Sequence, residues 1–307
     1  MANPDRSLRL GTRGSPLALA QAHMVRDALM AAHGWSADAI EIVPVVATGD
    51  RIQDCALADV GGKALWTKEL DAALLSGDID FAVHSMKDVE TLRPTTLSIA
   101  AMLPRADVRD RLVGAASIES LPHGASLGTS APRRRAQILG LRPDLEIVLL
   151  RGNVQTRLAK LERGEVDATL LAAAGLDRLG MHEMGISLPV TELLPAPAQG
   201  AVGIEALAQN VRICDWLAAI NDRATFNCVS SERALLAGLA GDCRSPVAAL
   251  AVMDGDMISL RAEIYAPDGS RSEKGAVEFD PGTDAAFELG RAMLARADSA
   301  IRAVFSS

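Results

Sequence analysis

The sequence predicts an α/β protein of two lobes joined by a hinge, followed by a small third α+β domain with an antiparallel sheet. Three observations carry this. Strand-like and helix-like segments alternate through most of the chain. Two proline-marked stretches, 102–110 and 193–203, bracket the middle of that alternation. After about residue 221 the texture changes to a helix, three alternating or apolar runs and a closing helix. Alternation of strands and helices implies mostly parallel sheets. A chain that leaves one lobe, builds a second and returns makes a hinge, and the crevice between such lobes is a usual ligand site. The boundaries read as 5–103 with 200–219 for lobe 1, 107–195 for lobe 2 and 222–307 for domain 3.

The elements follow in order. "LRLGTR" (8–13) is a strand. "SPLALAQAHMVRDALMAAHG" (15–34) is a helix with Ser15 as cap, Pro16 in its first turn and Gly34 as stop. "IEIVPVVA" (40–47) is a strand, "WTKELDAALLSG" (66–77) a helix ending at glycine, and "IDFAVHS" (79–85) a buried strand. "SLGTS" (126–130), "LEIVLL" (145–150) and "DATLLAA" (167–173) are strands, with helices around 132–140 and 153–163. A short internal echo links "GDIDFAV" (77–83) to "GEVDATL" (164–170), and "GTRGSPLALAQ" (11–21) to "GTSAPRRRAQ" (128–137). It suggests two lobes of similar build. In the last domain a helix over 224–239 precedes runs at 247–253, 258–266 and 275–280, with "APDG" (266–269) as a turn. One closing helix is expected over 284–305.

Composition excludes several classes. The chain has 307 residues, 49% of them hydrophobic and 23% charged, as in an ordinary globular protein with room for two or three domains. Aromatics are 3% and net charge is −8, so neither base-stacking platforms nor a general polyanion surface is expected, and no nucleic-acid partner. No apolar run is long enough for a signal peptide or a membrane span, so no membrane partner is expected. Cys55, Cys214, Cys228 and Cys243 form no C-x-x-C pair, which points to reduced thiols in the cytoplasm and no metal. No P-loop, no G-x-G-x-x-G after a strand and no G-x-S-x-G elbow is present.

The charge is unevenly placed. Between 131 and 160 seven basic residues face only Asp144 and Glu146. Arg133 and Arg134 lie in one strand-to-helix turn, Arg151 and Arg157 in another, and Arg13 repeats the arrangement in lobe 1. Helix N-termini offer unpaired N–H groups, and arginine adds forked donors for carboxylate or phosphate. Solvated surface arginines are the bland alternative; three such turns favour an anion-lined cleft. "HSMKDVET" (84–91) then ends a buried strand in Lys87 and Asp88. This is either a surface pair of little worth or a carboxylate set among cations, suited to a ligand with carboxylates outside and a cationic centre within. "VGGKALWTKEL" (60–70), with Lys63, reads as a loop running into a helix and a possible lid. Cys243, in "LAGLAGDCRSP" (236–246), is either a small buried hydrophobe or a covalent attachment point.

These motifs, together with "TGDRIQD", "LRGNVQTRL", "LAAAGLDRLG" and "QGAVGIE", resemble the porphobilinogen deaminase (hydroxymethylbilane synthase) family in order and nearly end to end. The resemblance implies two lobes like periplasmic binding proteins and a smaller domain carrying the cysteine loop. It implies a transferase that deaminates four porphobilinogen molecules and joins them head to tail into linear hydroxymethylbilane, in haem biosynthesis, acting as a cytoplasmic monomer. The chain would grow on a dipyrromethane cofactor held by a thioether to Cys243. Asp88 would be the catalytic carboxylate. Lys87, Thr129, Ser130, Arg133 and Arg134 would hold the cofactor's acid side chains. Arg13, Ser15, Gln21, Lys63, Arg151 and Arg157 would bind substrate or growing chain, Lys63 and Trp66 lying on a mobile loop and Arg178 and Gln199 near the hinge.

Some positions depart from the family pattern. "GTSAPRR" stands where "GTSSLRR" is common, so Ala131 lacks a hydroxyl and Pro132 presets the helix start. Asp59 replaces a frequent lysine, Glu90 a proline, Gly14 a glutamine, and Asp242 a glycine or serine beside Cys243. Two rival readings share the two lobes. A non-catalytic binding protein for a carboxylated ligand would need an export signal. A regulator would need a helix-turn-helix. Neither feature is read in the sequence.

Overall fold

The structure is a computed structural model that describes residues 4–46 and 67–305. In chain order it begins with β1 (Leu8–Arg13), α1 (Pro16–His33), β2 (Ile40–Val45), α2 (Lys68–Ser76), β3 (Phe81–Ser85) and β4 (Leu97–Met102). Next come β5 (Asp110–Val113), β6 (Ser126–Gly128), α3 (Pro132–Leu141), β7 (Glu146–Val148), α4 (Val154–Glu162), β8 (Ala168–Ala172), α5 (Ala173–Arg178) and β9 (Ile186–Ser187). The remainder is β10 (Val202–Leu207), α6 (Val211–Ala218), α7 (Arg223–Gly238), β11 (Val247–Asp254), β12 (Met257–Tyr265), β13 (Ser272–Phe279), α8 (Ala285–Arg296) and α9 (Ser299–Phe305).

Local chemistry explains the first helix. Ser15 Oγ accepts from the Ala18 N–H at 3.2 Å, and Pro16 takes the first helical position, where its missing N–H costs nothing. Gly34 ends the helix at φ 67°, a left-handed conformation that glycine adopts without a Cβ penalty.

The described residues form two compact units. One comprises 4–46, 67–106 and 200–226, the other 107–199 and 227–305. In the first unit one sheet runs β2-β1-β3-β10-β4. Leu8, Leu10, Phe81 and Val83 pack on Val25 and Leu29 of α1 on one face, while Ala82 packs with Leu70 and Leu74 of α2 on the other. The second unit holds a sheet ordered β7-β6-β8-β5-β9 and the antiparallel β11-β12-β13 sheet. Ala249, Ala251, Leu260 and Ile264 face Leu235 of α7, Leu239 just after it and Met293 of α8. Ala248, Leu250 and Tyr265 turn the other way, onto Ala136 of α3.

The internal echo has a structural counterpart. The segments around β1–α1 and β6–α3 take the second place in their sheets, and β3 and β8 the third. Two expectations need correction. The five-stranded sheets are mixed, not mostly parallel. β1 pairs parallel with β2 and β3, and β6 with β7 and β8, but β10 and β5 are antiparallel to both their neighbours. Each of those two strands is reached from a crossing stretch and not through a helix laid on the sheet, so no βαβ crossover forces it parallel. The closing helix is two helices: Ala297 is extended, and Asp298 Oδ1 accepts the Ala300 N–H at 2.8 Å, starting a new N-terminus. Among the described residues no helix is long and apolar enough to cross a membrane.

Candidate active site

β1 and β3 lie side by side and parallel, so both deliver their last residues to one edge of the first sheet, the edge where open α/β sheets bind ligands. A shallow open concavity lies there, lined in part by Arg13, Ser15, Gln21, Thr67, His84, Ser85 and Asp88. Gln21 is buried and its amide bonds reciprocally with the Ser85 hydroxyl, at 2.8 and 3.1 Å. Ser15 spends its oxygen on capping α1. Lys87 and Asp88 belong to a single 3-10 turn, Met86–Asp88, which closes where the Val89 N–H donates to Met86 O. Met86 anchors the turn: its N–H donates to Ala201 O, and its buried side chain lies over Gly203 of β10, where an added Cβ would collide with the sulfur. Lys63 and Trp66 lie outside the described residues, as do Cys55 and Asp59.

Beneath the concavity lies a charge cluster that the sequence reading missed. Glu205, inside the otherwise apolar β10, is fully buried. It takes a fork from Arg93, Nε to Oε1 at 2.9 Å and Nη2 to Oε2 at 2.8 Å, and stands 3.1 Å from His84 Nε2. Arg93 also donates to Glu90 at 2.6 Å, to Thr67 Oγ1 at 3.2 Å and to Asp71. Burial alone would raise the Glu205 carboxyl, but hydrogen bonds and charge from His84 and Arg93 outweigh it and bring it from 4.5 to about 2. A carboxylate with a depressed folded value stabilises the fold above its unfolded value, and that contribution is lost as pH falls through the folded one. The thermal midpoint should therefore fall between about pH 5 and pH 2. Glu205→Gln should flatten that acid arm relative to the parent; an unchanged arm would remove Glu205 as its source. The visible signal was a glutamate within an apolar strand, since a buried charge requires partners.

The second unit gathers the arginines. Asp110, at the start of β5, is fully buried and accepts Arg133 Nη2 and Arg134 Nη2, each at 2.7 Å. Each Nη1 donates to a carbonyl, Leu194 O and Leu170 O, and Gln199 Nε2 adds a bond of 2.9 Å to Asp110. Burial would raise the Asp110 carboxyl, yet the two guanidinium charges hold it well below the usual carboxylate range. Burial pushes Arg133 down, Asp110 only partly offsets this, and the like charge of Arg134 pushes further. One carboxylate faces two guanidinium groups, and the Nε–H of each has no hydrogen-bond partner among the described residues.

Thr129 Oγ1 accepts the Ala131 N–H, and Ser130 Oγ accepts Arg157 Nη2 at 3.4 Å. Arg157 Nε donates to Gly152 O, Asn153 caps α4, and Arg151 is buried. Burial draws Arg178, on α5, down to about 10. Cys243 is exposed in the loop after α7. The neighbouring Asp242 carboxylate is drawn onto Arg244, accepting its N–H at 2.8 Å and Nη2 at 2.9 Å.

Residues 8–215 match the family model described as porphobilinogen deaminase, dipyromethane cofactor binding domain, and residues 226–297 match the porphobilinogen deaminase C-terminal domain. The porphobilinogen deaminase of Sphingopyxis alaskensis is 59% identical over all of this chain and 99% of its own length. That of Paracoccus denitrificans is 52% identical over 95% of this chain and 96% of its own. Among solved structures, a periplasmic substrate-binding protein of an ABC transporter from Coxiella burnetii aligns with 74% of this chain and 96% of its own, at 14% identity and a TM-score of 0.41. The chain belongs to the porphobilinogen deaminase family. It is a transferase of tetrapyrrole biosynthesis whose cofactor is dipyrromethane. The residues present fit that group. The buried guanidinium pair carries one positive charge more than Asp110 answers, and its two orphaned Nε–H donors suit a ligand carboxylate.

Proposed function

We propose that this chain deaminates porphobilinogen and joins four of the molecules into hydroxymethylbilane, with Asp88 as its catalytic carboxylate and Cys243 as the cofactor's anchor. The observation that carries the proposal is the Asp88 turn, which sets an acidic side chain beside Arg13 and Gln21 around one concavity at the strand ends. Arg13 fits the acetate or propionate of an incoming pyrrole. Asp88 accepts the pyrrole N–H and faces the positive charge that develops on the substrate ring as its aminomethyl nitrogen leaves as ammonia. The aminomethyl group leaves from its ammonium form, the C–N electron pair going with ammonia. Attack by a pyrrole α-carbon then forms the new C–C bond, and that carbon gives up its proton, for which Asp88 is the nearby acceptor. Water hydrolyses the finished tetrapyrrole from the enzyme, and Lys87, adjacent in the turn, adds a cation for the cofactor's acid side chains. When bound, the dipyrromethane supplies the terminal pyrrole α-carbon that is extended.

Arg133, Arg134, Thr129 and Ser130 hold the cofactor's carboxylates, while Arg151 and Arg157 hold those of added rings; Arg178 and Gln199 act near the hinge. Each ring brings two carboxylates, so a lengthening product needs many fixed cations, and a forked arginine contact is not replaced by lysine. The proposal includes three domains, cytoplasmic location and a monomer.

Intact mass under denaturing conditions tests the anchor. The parent protein should exceed its polypeptide mass by two deaminated porphobilinogen units, and Cys243→Ser should not. Added substrate should then give a ladder of single-ring increments on the parent alone. A bare mass that persists after incubation with porphobilinogen would reject Cys243 as the anchor.

A further inference from the structure

We propose that Arg93 is a positioning residue for Asp88, clamping the far end of the arch that carries it onto Glu205. The arch runs from His84, the penultimate residue of β3, through the Met86–Asp88 turn to Arg93, before β4 begins. Four residues before Asp88, His84 Nε2 meets Glu205 Oε2 at 3.1 Å. Two residues after Asp88, Glu90 meets Arg93 Nη1 at 2.6 Å, and Arg93 forks onto the same Glu205. The near end of the arch is held by the pairing of His84 with Gly203 on β10, and the far end by Arg93 on the buried Glu205 carboxylate of the same strand. Thr67, at the foot of α2, joins the clamp by donating to both Glu90 oxygens at 2.9 Å. Arg93 has its side chain about nine-tenths covered, and no step of the reaction uses it.

Three carboxylates converge on the one guanidinium, and its planar fork is what allows Glu205, Glu90 and Asp71 to be held at once. Lysine keeps the charge and cannot make the fork. Loosening the arch should therefore move Asp88 relative to the bound ring and leave the residues that give affinity in place. A displacement of about 1 Å at a reacting group can cost a hundredfold in rate.

The inference rests on Asp88 being the catalytic carboxylate, so Asp88→Asn is measured alongside. In cofactor-loaded protein, Arg93→Lys and Glu90→Gln should each lower kcat about tenfold with KM for porphobilinogen within about twofold of the parent. Glu90 is partly exposed, so Glu90→Gln should keep its thermal midpoint and serve as the reading if Arg93→Lys folds poorly. If both variants match the parent in kcat, or lose only thermal midpoint, the clamp is structural and the inference is overturned while an inactive Asp88→Asn leaves the Asp88 reading intact. If Asp88→Asn turns over normally, the Asp88 reading falls, and the inference with it.

Discussion

Asp88→Asn is expected to fold, carry its cofactor and turn over at least about a hundredfold more slowly than the parent. The asparagine amide keeps the size of the side chain and one acceptor oxygen, so the 3-10 turn, which closes through the Val89 N–H and Met86 O, should survive. What disappears is the negative charge beside the concavity that holds Arg13 and Gln21. A ring losing ammonia becomes cationic, and a neutral amide stabilises that cation far less than a carboxylate does. The measurement is the initial rate of hydroxymethylbilane formation, with intact mass showing the cofactor in place. Turnover within a few-fold of the parent would remove Asp88 from the chemistry.

The second large effect is on stability. Asp110→Asn should cost about 3–5 kcal/mol, because it leaves Arg133 and Arg134 buried without their shared anion. Asparagine keeps one acceptor oxygen but supplies no charge, and its amide N–H₂ would face either Arg133 or both Arg134 and Gln199, donors that a carboxylate oxygen accepted. Denaturant unfolding followed by fluorescence and circular dichroism reads the change. A loss under about 1 kcal/mol would mean that water or relaxation replaces Asp110, and the pair would then carry no buried excess charge.

Much of this was legible in the chain, and the gaps have physical causes. The first helix was readable because its limits are set locally, by Ser15, Pro16 and Gly34. The strand ends carrying Arg13 and Asp88 were readable because buried runs stop abruptly at charged residues. The place of β10 between β3 and β4 was not, since pairing between distant strands leaves no local mark. The same gap hid the clamp: Glu205, His84 and Arg93 meet only once β10 is placed. The concentration of arginine between 131 and 160 was readable from the sequence itself. That Arg133 and Arg134 lie buried on Asp110 was not visible, because the partner arrives on β5 from well upstream. The break at Asp298 was missed because the helical pattern continues across it, while the aspartate's hydrogen bond to Ala300 favours a fresh start.

The central position of β10 has a consequence for the order in which the protein is made. β3 and β4 flank β10 and leave the ribosome early, while β10 follows only after the strands of the second five-stranded sheet have been translated. Until then both early strands present open edges, and His84 and Arg93 have no Glu205 to hold. The nascent first unit therefore waits, incompletely folded, through the synthesis of the insert, a stretch in which an unpaired edge is exposed to chaperones and to other chains.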